Sequence, residues 1–425
     1  MVMFPVITLG KSIRAAMHLR GGGSTLPGLV VEKIDPGFLK RTLKQLPQGV
    51  VVISGTNGKT TTTKMVVELL ESQGLKVFSN PTGSNFTRGI VSSLLGSVDS
   101  NGKLSADIAV LELDEAHAVH FVKTVRPKYS LLLNVMRDQL DRFGEIDTTA
   151  RMLETVAKNT TDGVVLNRED PRVKAIANSL KDQSVSYFGL SKDAKNHFPN
   201  DDELHAKKKT STSSQKSAND TVLESFKNSS ATFTFNGKEK KTSLKLDGIY
   251  NVFNAAAALA LVKVVAGKNL KEAELFKALK NVTPAFGRGE IIEVDGQPLE
   301  LVLVKNPAGF RLSLKSFSPK GYATMIAIND NYADGRDMSW LWDVDFSSLQ
   351  KDGAASVSGV RAYDMALRLQ YDDVKVENVC TDLKAALRQF NRENKSKPKR
   401  IFCTYTAMLA IRKELGKTLK MESEK

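Results

Sequence analysis

The hydrophobic pattern of the first 170 residues alternates between short apolar runs and longer segments with helical spacing. The runs are apolar on both faces, as are strands buried at the centre of a parallel sheet. After the first run, Met65, Val66, Leu69 and Leu70 recur at intervals of three and four residues, which predicts a helix. The pattern therefore predicts strand–helix units around a parallel sheet. The predicted strands cover residues 50–54, 107–113, 129–135 and 163–166.

Between residues 191 and 230 the composition changes to Lys, Ser, Thr, Asn and Asp, with few apolar residues. A stretch of this composition cannot bury enough surface to order itself, so we predict a mobile Lys/Ser-rich surface insertion. The segment ATFTFNGK, which starts at Ala231, alternates like an edge strand that ends in an Asn-Gly turn. Residues 254–266 follow as a predicted helix of small residues that packs closely on its neighbours.

A second α/β segment is predicted from Glu290 onwards. Its predicted strands cover residues 299–304, 322–328 and 400–405, and its predicted helices cover residues 359–369 and 381–391. Together these patterns predict three parts of the chain. They are an N-terminal arm at 1–45, a central parallel-sheet domain at 46–290 that contains the insertion, and a smaller C-terminal α/β domain at 291–425.

The composition is that of an ordinary globular protein, with 41% hydrophobic and 25% charged residues. It excludes general disorder and collagen-like or coiled-coil architectures. A chain of 425 residues is long enough for two or three domains, each with its own core. The 61 Lys and Arg exceed the 47 Asp and Glu by 14, which favours anionic partners such as nucleotides, nucleic acid or an acidic membrane face.

The two cysteines, Cys380 and Cys403, lie far apart and in no metal-binding spacing. They exclude a disulfide framework and a cysteine zinc site, and they are typical of a reducing compartment. No uninterrupted apolar run approaches the roughly 20 residues of a membrane span, and the apolar start of the chain lacks the features of a signal peptide. We expect a cytoplasmic protein, able to work at the inner face of a membrane.

A predicted strand, the sequence GTNGKTT and a predicted helix follow one another at residues 50–72. In this order, backbone N–H groups and the helix N-terminus face phosphates, Lys59 can neutralise the terminal phosphates, and the Thr60 hydroxyl can reach Mg²⁺. The general P-loop motif has a glycine five positions before Gly58, where this chain has Ile53. The alternative interpretation is a plain glycine turn.

The second predicted strand ends in acidic residues. Because ligands collect at the carboxyl ends of parallel strands, Glu112, Asp114 and Glu115 can hold a metal opposite the phosphate loop. The alternative is a solvated helix cap, which is a stronger interpretation for Asp114 and Glu115 than for Glu112. His117 and His120 lie three residues apart, but with no third ligand nearby in the sequence a plain helix surface is favoured.

Six motifs occur in an order that resembles the Mur ligases. They are GTNGKTT, the strand end ELDE, NVMRDQLDRFGE, NREDP, GIYNVFNAAA and FGRGE. Mur ligases are ATP-dependent enzymes that activate a carboxylate of a peptidoglycan precursor as an acyl phosphate. The similarity covers most of residues 30–295 and implies a Mur-ligase-like central P-loop domain with a parallel sheet, followed by a smaller C-terminal α/β domain.

The resemblance also implies which residues bind ATP and Mg²⁺. Thr60 and Glu112 would hold the metal, which gives Glu112 a catalytic role, and Asn251 would lie beside the adenine. The implied ATP-binding residues are Gly55, Thr56, Asn57, Gly58, Lys59, Thr60, Thr61, Asn251 and Arg288. Asp138 and Asp141 form either a polar cluster at a strand end or a structural turn. In this neighbourhood the chain departs from the amino-acid-adding Mur ligases, which have a histidine where this chain has Gln139.

The C-terminal third is similar to MurT-like ligase subunits of the lipid II isoglutaminyl synthase, rather than to the amino-acid-binding domain of other Mur ligases. The motifs that carry this similarity are KNPAGF, NDNYADGRD, WLWD, SGVRAYD and TYTAM, with RGGGSTLPG near the N-terminus. Many MurT-like proteins carry a Cys₄ zinc ribbon in the central domain. This chain lacks those cysteines, so we expect ATP and Mg²⁺ as cofactors and no zinc.

This resemblance implies an activity and a partner. The activity is ATP-dependent amidation of the α-carboxylate of D-glutamate in the lipid II stem peptide, a step of peptidoglycan biosynthesis that yields D-isoglutamine. Ammonia would come from a GatD-type glutamine amidotransferase subunit, because neither cysteine of this chain resembles an activated nucleophile. In that family an acid of the ligase subunit completes the partner's Cys-His pair. We expect Asp343, or else Asp337, from the cluster Asp330, Asp334, Asp337, Asp343 and Asp345.

Three other functions compete with this one. An ordinary Mur or folylpolyglutamate-type ligase would add an amino acid without a partner. A basic P-loop NTPase would bind nucleic acid, but the sequence has no helix-turn-helix, zinc finger or RNP-like motif. A non-catalytic scaffold would only dock the glutaminase, and the intact Lys59, Thr60 and Glu112 argue against it.

Overall fold

The computed structural model describes residues 3–19, 25–80, 85–136, 146–195, 220–227, 230–245, 249–283 and 288–417. The chain divides into two compact units. Unit 1 comprises Met1–Val135, Asp147–Leu246 and Asn251–Thr283, and unit 2 comprises Met136–Ile146, Asp247–Tyr250 and Pro284–Lys425.

Unit 1 contains nine strands and most of the described helices of the first 283 residues. The helices are α1 (Met3–Leu19), α2 (Leu26–Ile34), α3 (Phe38–Leu43), α4 (Lys59–Ser72), α5 (Thr87–Ser97), α6 (Glu115–Thr124), α7 (Ile146–Lys158), α8 (Pro171–Ala175), α9 (Lys192–Lys195), α10 (Ile249–Ala266) and α11 (Glu272–Asn281). The strands are β1 (Val50–Ser54), β2 (Val77–Ser79), β3 (Ile108–Glu112), β4 (Tyr129–Leu132), β5 (Gly163–Asn167), β6 (Ser184–Leu190), β7 (Thr221–Lys227), β8 (Ser230–Phe235) and β9 (Lys238–Ser243).

These strands form one sheet in the order β2-β3-β1-β4-β5-β6-β7-β8-β9. The pairs from β2 to β7 are parallel, and β8 and β9 complete the sheet as antiparallel strands. All residues of β1, β3, β4 and β5 are buried, as the two-sided apolar runs predict. The α/β fold with a central parallel sheet is therefore confirmed.

The predicted insertion at residues 191–230 is shorter than expected. Helix α9 lies within it, and so does β7, which pairs with β6 and buries Val222 and Leu223. Two adjacent apolar residues are enough to order this strand, because the neighbouring strands supply the rest of the buried surface. The average composition of the segment does not reveal this contribution. Residues 196–219 of the insertion lie outside the described residues.

The ATFTFNGK segment forms β8 with the predicted alternation of buried and partly exposed positions. Asn236 and Gly237 have φ values of 51° and 71°, as a tight hairpin turn requires. The expectation that this segment is an edge strand was wrong, because β9 pairs with its free side and forms the edge of the sheet. A lysine-rich strand such as β9 gives no apolar signal in the sequence, since its side chains face solvent.

Helix α10 carries the predicted small residues, and Ala255–Leu261 is buried almost completely. Within the described part of the chain, the stretch Tyr250–Asn269 is the one helix whose length and composition would suit a membrane span. More than half of it is buried inside the protein, and a core helix meets the same criterion.

Unit 2 is a smaller α/β domain with a six-stranded sheet. Its strands are β10 (Arg288–Val294), β11 (Gln297–Leu303), β12 (Ala323–Ala327), β13 (Ser356–Ser358), β14 (Val379–Cys380) and β15 (Lys399–Cys403). Its helices are α12 (Pro307–Ser316), α13 (Ala362–Tyr371), α14 (Leu383–Glu393) and α15 (Tyr405–Leu415), with short 3₁₀ helices at Ser339–Asp343 and Ser347–Leu349. The strand order is β10-β11-β15-β12-β13-β14, and all pairs except β10–β11 are parallel.

Two hydrophobic clusters cover the two faces of this sheet. Phe402 belongs to the cluster formed with α12 and α13, whereas its neighbours Ile401 and Cys403 belong to the cluster formed with α14 and α15. This alternation is the period of two expected of a strand that is buried on both faces. Helices on both sides of a mainly parallel sheet confirm the predicted C-terminal α/β domain.

Candidate functional site

The GTNGKTT loop joins the carboxyl end of β1 to the first residue of α4. Strand β1 lies between β3 and β4, which is the switch point at which open parallel sheets bind ligands. Gly55 and Gly58 have φ values of 132° and 88°, and a Cβ would lie 2.9 Å from the Asn134 N atom at the first position and 2.6 Å from Asn254 Oδ1 at the second. Both positions therefore require glycine.

Lys59 and Thr60 begin α4, and both side chains are buried beside the carboxyl end of β3. The Lys59 ammonium donates to the Gly55 carbonyl oxygen at 2.6 Å. The Thr60 hydroxyl donates to Glu112 Oε1 at 3.0 Å. The loop with its helix N-terminus and the acidic strand end, predicted from two separate motifs, thus come together in one place.

Glu115 is a buried partner of Lys59, so the interpretation of Glu115 as a solvated cap is wrong. Its Oε2 atom lies 3.4 Å from Lys59 Nζ, and both side chains are more than nine-tenths buried. Asp114 does act as the cap of α6 and accepts from the Ala116 N–H. His117 and His120 lie on α6, where the His117 ring packs against that of Phe86, 5.7 Å away between centroids.

Two asparagines hold the two strand ends in place, and sequence reasoning assigned no role to either. Asn134 donates through Nδ2 to the Asn57 carbonyl at 3.0 Å and accepts from the Asn57 N–H at 2.8 Å. Asn80 makes the same pair of bonds to the backbone of Glu112, at 3.0 and 2.9 Å. Asn80 directly follows β2 and Asn134 lies two residues after β4, and this position at a strand end is the signal by which they could have been found.

The residues at the loop fit a magnesium ion. Mg²⁺ prefers oxygen ligands, uses one or two protein groups and completes its shell with water and phosphate oxygens. The Thr60 hydroxyl and the Glu112 carboxylate are two such groups, 3.0 Å apart. Among the described residues no group of three or more His, Cys, Asp or Glu side chains is arranged to hold a metal.

Fewer contacts are described for the other predicted ATP-binding residues. Asn251 lies in α10, three residues before Asn254, whose amide oxygen approaches Gly58. Residues at this spacing share one face of a helix. Arg288 begins β10, and its side chain lies outside the described residues, as do Asp138, Gln139 and Asp141.

Asp170, from the NREDP motif, is another buried acid of unit 1. It accepts from the N–H groups of Val135, Arg172 and Val173 at 2.7, 2.9 and 3.0 Å, and so caps α8 and ties it to the end of β4. Burial raises the pKa of this carboxyl group to about 6, although the three N–H donors act in the opposite direction. Asp170 is therefore a structural acid of the sheet edge.

In unit 2 the predicted acid cluster divides by environment. Asp334 is buried, and its carboxylate accepts from the N–H and hydroxyl of Thr406 at 2.7 and 2.5 Å and from the Asn331 N–H at 3.1 Å. Burial raises its pKa above the ordinary value. Asn329 donates to the same Thr406 hydroxyl at 3.0 Å, so these side chains fasten the loop after β12 to the start of α15.

The other acids of the cluster lie nearer the surface. Asp337 accepts from the Ser339 N–H at 2.9 Å, and Asp345 accepts from the Ser347 N–H at 2.9 Å, a hydrogen bond that lowers the pKa of Asp345. Asp343 is exposed at the end of a 3₁₀ helix, where its backbone carbonyl accepts from Arg311. Within the described residues no hydrogen bond or ion pair engages the Asp343 carboxylate.

Neither thiol is placed as an activated nucleophile. Cys403 is completely buried in β15, and burial raises the pKa of its thiol. The Cys380 thiol is partly buried and lies 3.5 Å from the Asp382 carbonyl oxygen. An activated catalytic thiol is accessible and paired with a basic group, whereas Cys403 is buried and the contact described for the Cys380 thiol is a backbone carbonyl oxygen.

Comparisons with known proteins agree with this division into two parts. The family model for the Mur ligase middle domain matches residues 53–262, and the model for the MurT ligase C-terminal domain matches residues 303–408. Among solved structures, MurF from Acinetobacter baumannii has a TM-score of 0.68 and 16% identity, covering 93% of this chain and 81% of that one. MurF from Thermotoga maritima, solved in complex with ADP, has a TM-score of 0.65 and 19% identity, covering 89% and 83%. Both show the shared fold.

Curated relatives are more similar in sequence. The chain is 31% identical to the lipid II isoglutaminyl synthase (glutamine-hydrolyzing) subunit MurT of Streptococcus pneumoniae, over 96% of this chain and 95% of the relative. It is 30% identical to the subunit of the same name from Staphylococcus aureus, over 88% and 89%. The similarity to UDP-N-acetylmuramoylalanine–D-glutamate ligase of Geotalea uraniireducens, at 28%, covers 54% of this chain. The chain therefore belongs to the MurT family of Mur-type, ATP-dependent ligases.

Proposed function

We propose that this chain is the synthetase subunit of a lipid II isoglutaminyl synthase. It phosphorylates the α-carboxylate of D-glutamate in the lipid II stem peptide with ATP and releases ADP. Ammonia then attacks the acyl phosphate and displaces phosphate, which leaves the amide of D-isoglutamine. The observation that carries this proposal is the similarity to a MurT subunit along 96% of the chain, which includes the C-terminal unit that the MurT ligase C-terminal model matches at residues 303–408.

The first step is assigned to the loop between β1 and α4. A carboxylate needs a better leaving group than hydroxide, and phosphoryl transfer from ATP supplies it. Lys59 lies where it can neutralise phosphate oxygens after leaving its contact with Glu115. Thr60 and Glu112 would hold Mg²⁺, which offsets phosphate charge when bound. Asn251 and Arg288 remain proposed contacts of the nucleotide.

Ammonia is assigned to a separate glutaminase subunit, a class I glutamine amidotransferase of the GatD type. Release of ammonia from glutamine commonly uses a Cys nucleophile, a His base and an orienting acid. This chain has no accessible activated thiol but does carry an exposed acid, Asp343, at the end of a 3₁₀ helix. Asp343 completes the partner's Cys-His pair, and Asp337 is the weaker candidate because it already caps the Ser339 N–H.

The substrate defines the place of action. Lipid II is anchored in the membrane and carries a pyrophosphate, so the enzyme works in the cytoplasm at the inner membrane face. The chain's net charge of +14 favours contact with that anionic surface. Amidation that is insensitive to salt and to anionic lipid would contradict this part of the proposal.

The deciding experiment measures ATP hydrolysis and lipid II amidation with glutamine or ammonium, with and without the glutaminase subunit. We expect glutamine to be used only when both subunits are present, and ammonium at high concentration to be used by this chain alone. ATP turnover that depends on an added amino acid and needs no partner would move the protein to the ordinary Mur or folylpolyglutamate-type ligases.

A further inference from the structure

The exposed apolar side chains of unit 1 are concentrated in its first two helices. Among the described residues of this unit, the large apolar side chains that lie substantially in solvent are Leu9 of α1 and Leu26 and Ile34 of α2. Their exposed fractions are 44%, 43% and 51%. Single exposed apolar side chains are ordinary, whereas a group of them on one part of a surface is typical of an interaction site. The N-terminal helices are therefore a candidate for such a site.

Helix α2 carries an apolar stripe on its outer side. Four residues have the spacing of three and four positions that places side chains on one side of a helix, and each of them is partly or largely exposed. They are Leu26, Leu29, Val30 and Ile34. The inner side of the helix is buried, because Gly28 packs on α5 and Val31 packs on α1. The outer stripe is therefore not needed to hold α2 in the fold.

Exposed basic side chains adjoin the stripe. Lys33 directly precedes Ile34, and a short turn leads to α3, where Lys40 is exposed. Lys44 directly follows the end of α3 and is exposed as well. Residues 1–48 contain seven basic and two acidic residues, a net charge of +5 out of the +14 of all 425 residues. The basic charge of the protein is thus enriched at this surface.

The two acidic residues of this segment are both engaged in ion pairs. Glu32 accepts from Arg88 of α5 at 3.0 Å, and Asp35 pairs with Arg41, which closes the turn between α2 and α3. Within the part of the chain that the structure describes, no ion pair engages the three lysines beside the stripe. We call the α2 stripe together with Lys33, Lys40 and Lys44 the N-terminal patch.

We propose that the N-terminal patch binds the anionic surface of a lipid bilayer. The apolar stripe enters the boundary between headgroups and acyl chains, and the lysines meet the lipid phosphates, as in helices that lie in a membrane interface. The proposal rests on the proposed function, because the membrane is where that function places the substrate. It assigns the membrane contact to one surface of unit 1 rather than to the net charge of the whole chain.

The charge and the apolar stripe together favour a bilayer over other occupants. A second copy of the chain would bring two patches of positive charge against each other, and like charges in an interface are repulsive. A nucleic acid would meet the lysines but would leave the apolar stripe without an apolar partner. An anionic bilayer provides phosphates and acyl chains at adjoining depths.

The test measures co-sedimentation of the full chain with vesicles of phosphatidylcholine and phosphatidylglycerol in equal parts, and with vesicles of phosphatidylcholine alone. The patch variant is Lys33→Glu/Lys40→Glu. Its matched control is Lys238→Glu/Lys241→Glu on β9, where both lysines are exposed and the net charge changes by the same amount. Ile34→Ser tests the apolar stripe without a change of charge, and Ile34→Leu is its conservative control.

We expect the unmodified chain to prefer the anionic vesicles, and Lys33→Glu/Lys40→Glu to lower its partition onto them by about 10-fold or more. Ile34→Ser should lower the partition by about 5-fold, because less apolar surface enters the interface. Ile34→Leu and the β9 control should remain close to the unmodified protein.

Three results would overturn the proposal. They are equal losses of vesicle binding by the patch and β9 variants, unchanged binding by Ile34→Ser, and a dimer in analytical ultracentrifugation that depends on Ile34. Ammonium-driven amidation of a water-soluble, short-chain lipid II analogue should be unaffected by the patch variants. If the unmodified chain amidates no substrate, the proposed function fails, while the vesicle comparison still decides the role of the patch.

Discussion

The carboxyl edges of the two parallel sheets carry different kinds of polar chemistry. In unit 1, the edge at β1 and β3 brings Lys59, Thr60 and Glu112 together beside a glycine loop. In unit 2, the edge at β12 and β15 brings Asp334 and Thr406 together, and they satisfy each other's hydrogen bonds. The same architecture carries the proposed phosphate site at one edge and a structural brace at the other.

The two edges differ in which polar groups are still available to a ligand after the internal hydrogen bonds are made. A glycine loop at a helix N-terminus binds an anion through its backbone N–H donors. Its side chains can therefore exchange their internal contacts for contacts with a substrate. The brace in unit 2 uses its carboxylate internally and thereby fixes the loop that carries Trp342 and Asp343. The brace therefore keeps this loop in one position, as the proposed role of Asp343 in a partner's site requires.

The largest expected effect comes from removing the ammonium group at the phosphate loop. Lys59→Ala should lower lipid II amidation and ATP turnover by about 10²- to 10³-fold, because the charge on the phosphates is no longer offset. Both rates are measured with ammonium as the nitrogen source. Lys64→Ala, one helical turn further along α4 and partly exposed, is the control and should be near normal. Substantial amidation by Lys59→Ala would support a scaffold role and remove the contrast between the edges.

The next largest effect separates the two candidate acids of unit 2. Asp343→Asn should lower glutamine-driven amidation in the complex by about 10²-fold or more and leave ammonium-driven amidation unchanged, since an amide cannot stabilise the partner's imidazolium. The control is Asp337→Asn, which changes a carboxylate that already caps a turn. The opposite ranking of the two variants would transfer the proposed role to Asp337.

A smaller effect tests whether the unit 2 brace is structural. Asp334→Ala should reduce the free energy of unfolding by about 1 to 3 kcal/mol, because the partly buried Thr406 N–H and hydroxyl lose their acceptor. Urea unfolding followed by circular dichroism measures it, and Asp352→Ala at an exposed position is the control. A normal unfolding free energy combined with lost activity would mean that Asp334 takes part in the reaction rather than in stabilising the fold.

The smallest effect concerns Asp170, the buried acid that caps α8. Because the pKa of Asp170 is about 6 in the folded protein and lower in the unfolded chain, the folded state binds the proton more tightly. Stability from this group is present at low pH and is lost as the pH rises towards the folded pKa. Between pH 5 and 7 the unmodified protein should lose about 1 kcal/mol relative to Asp170→Asn in urea unfolding. Parallel pH profiles would show that Asp170 titrates normally.

The sequence alone determined the central strands of both sheets, the glycine loop between β1 and α4, and the family. Apolar runs and the GTNGKTT motif are local signals, because a strand buried on both faces and a loop that wraps an anion each need particular residues at consecutive positions. The MurT-like motifs of the C-terminal third likewise pointed to the family that the relatives confirm. These features were predictable since neighbours along the chain suffice to define them.

Only the tertiary structure decided which polar groups meet. Glu115 lies where the sequence predicts a helix cap, but its carboxylate contacts Lys59, 56 positions away. Asp334 cannot be distinguished from its neighbouring acids in the sequence, but in the fold it contacts Thr406, 72 positions away. Strand β7 formed within a segment too polar to fold by itself, since the sheet supplied its buried surface. A side chain's partner across the fold is set by strand order and crossing helices, and no local pattern encodes either.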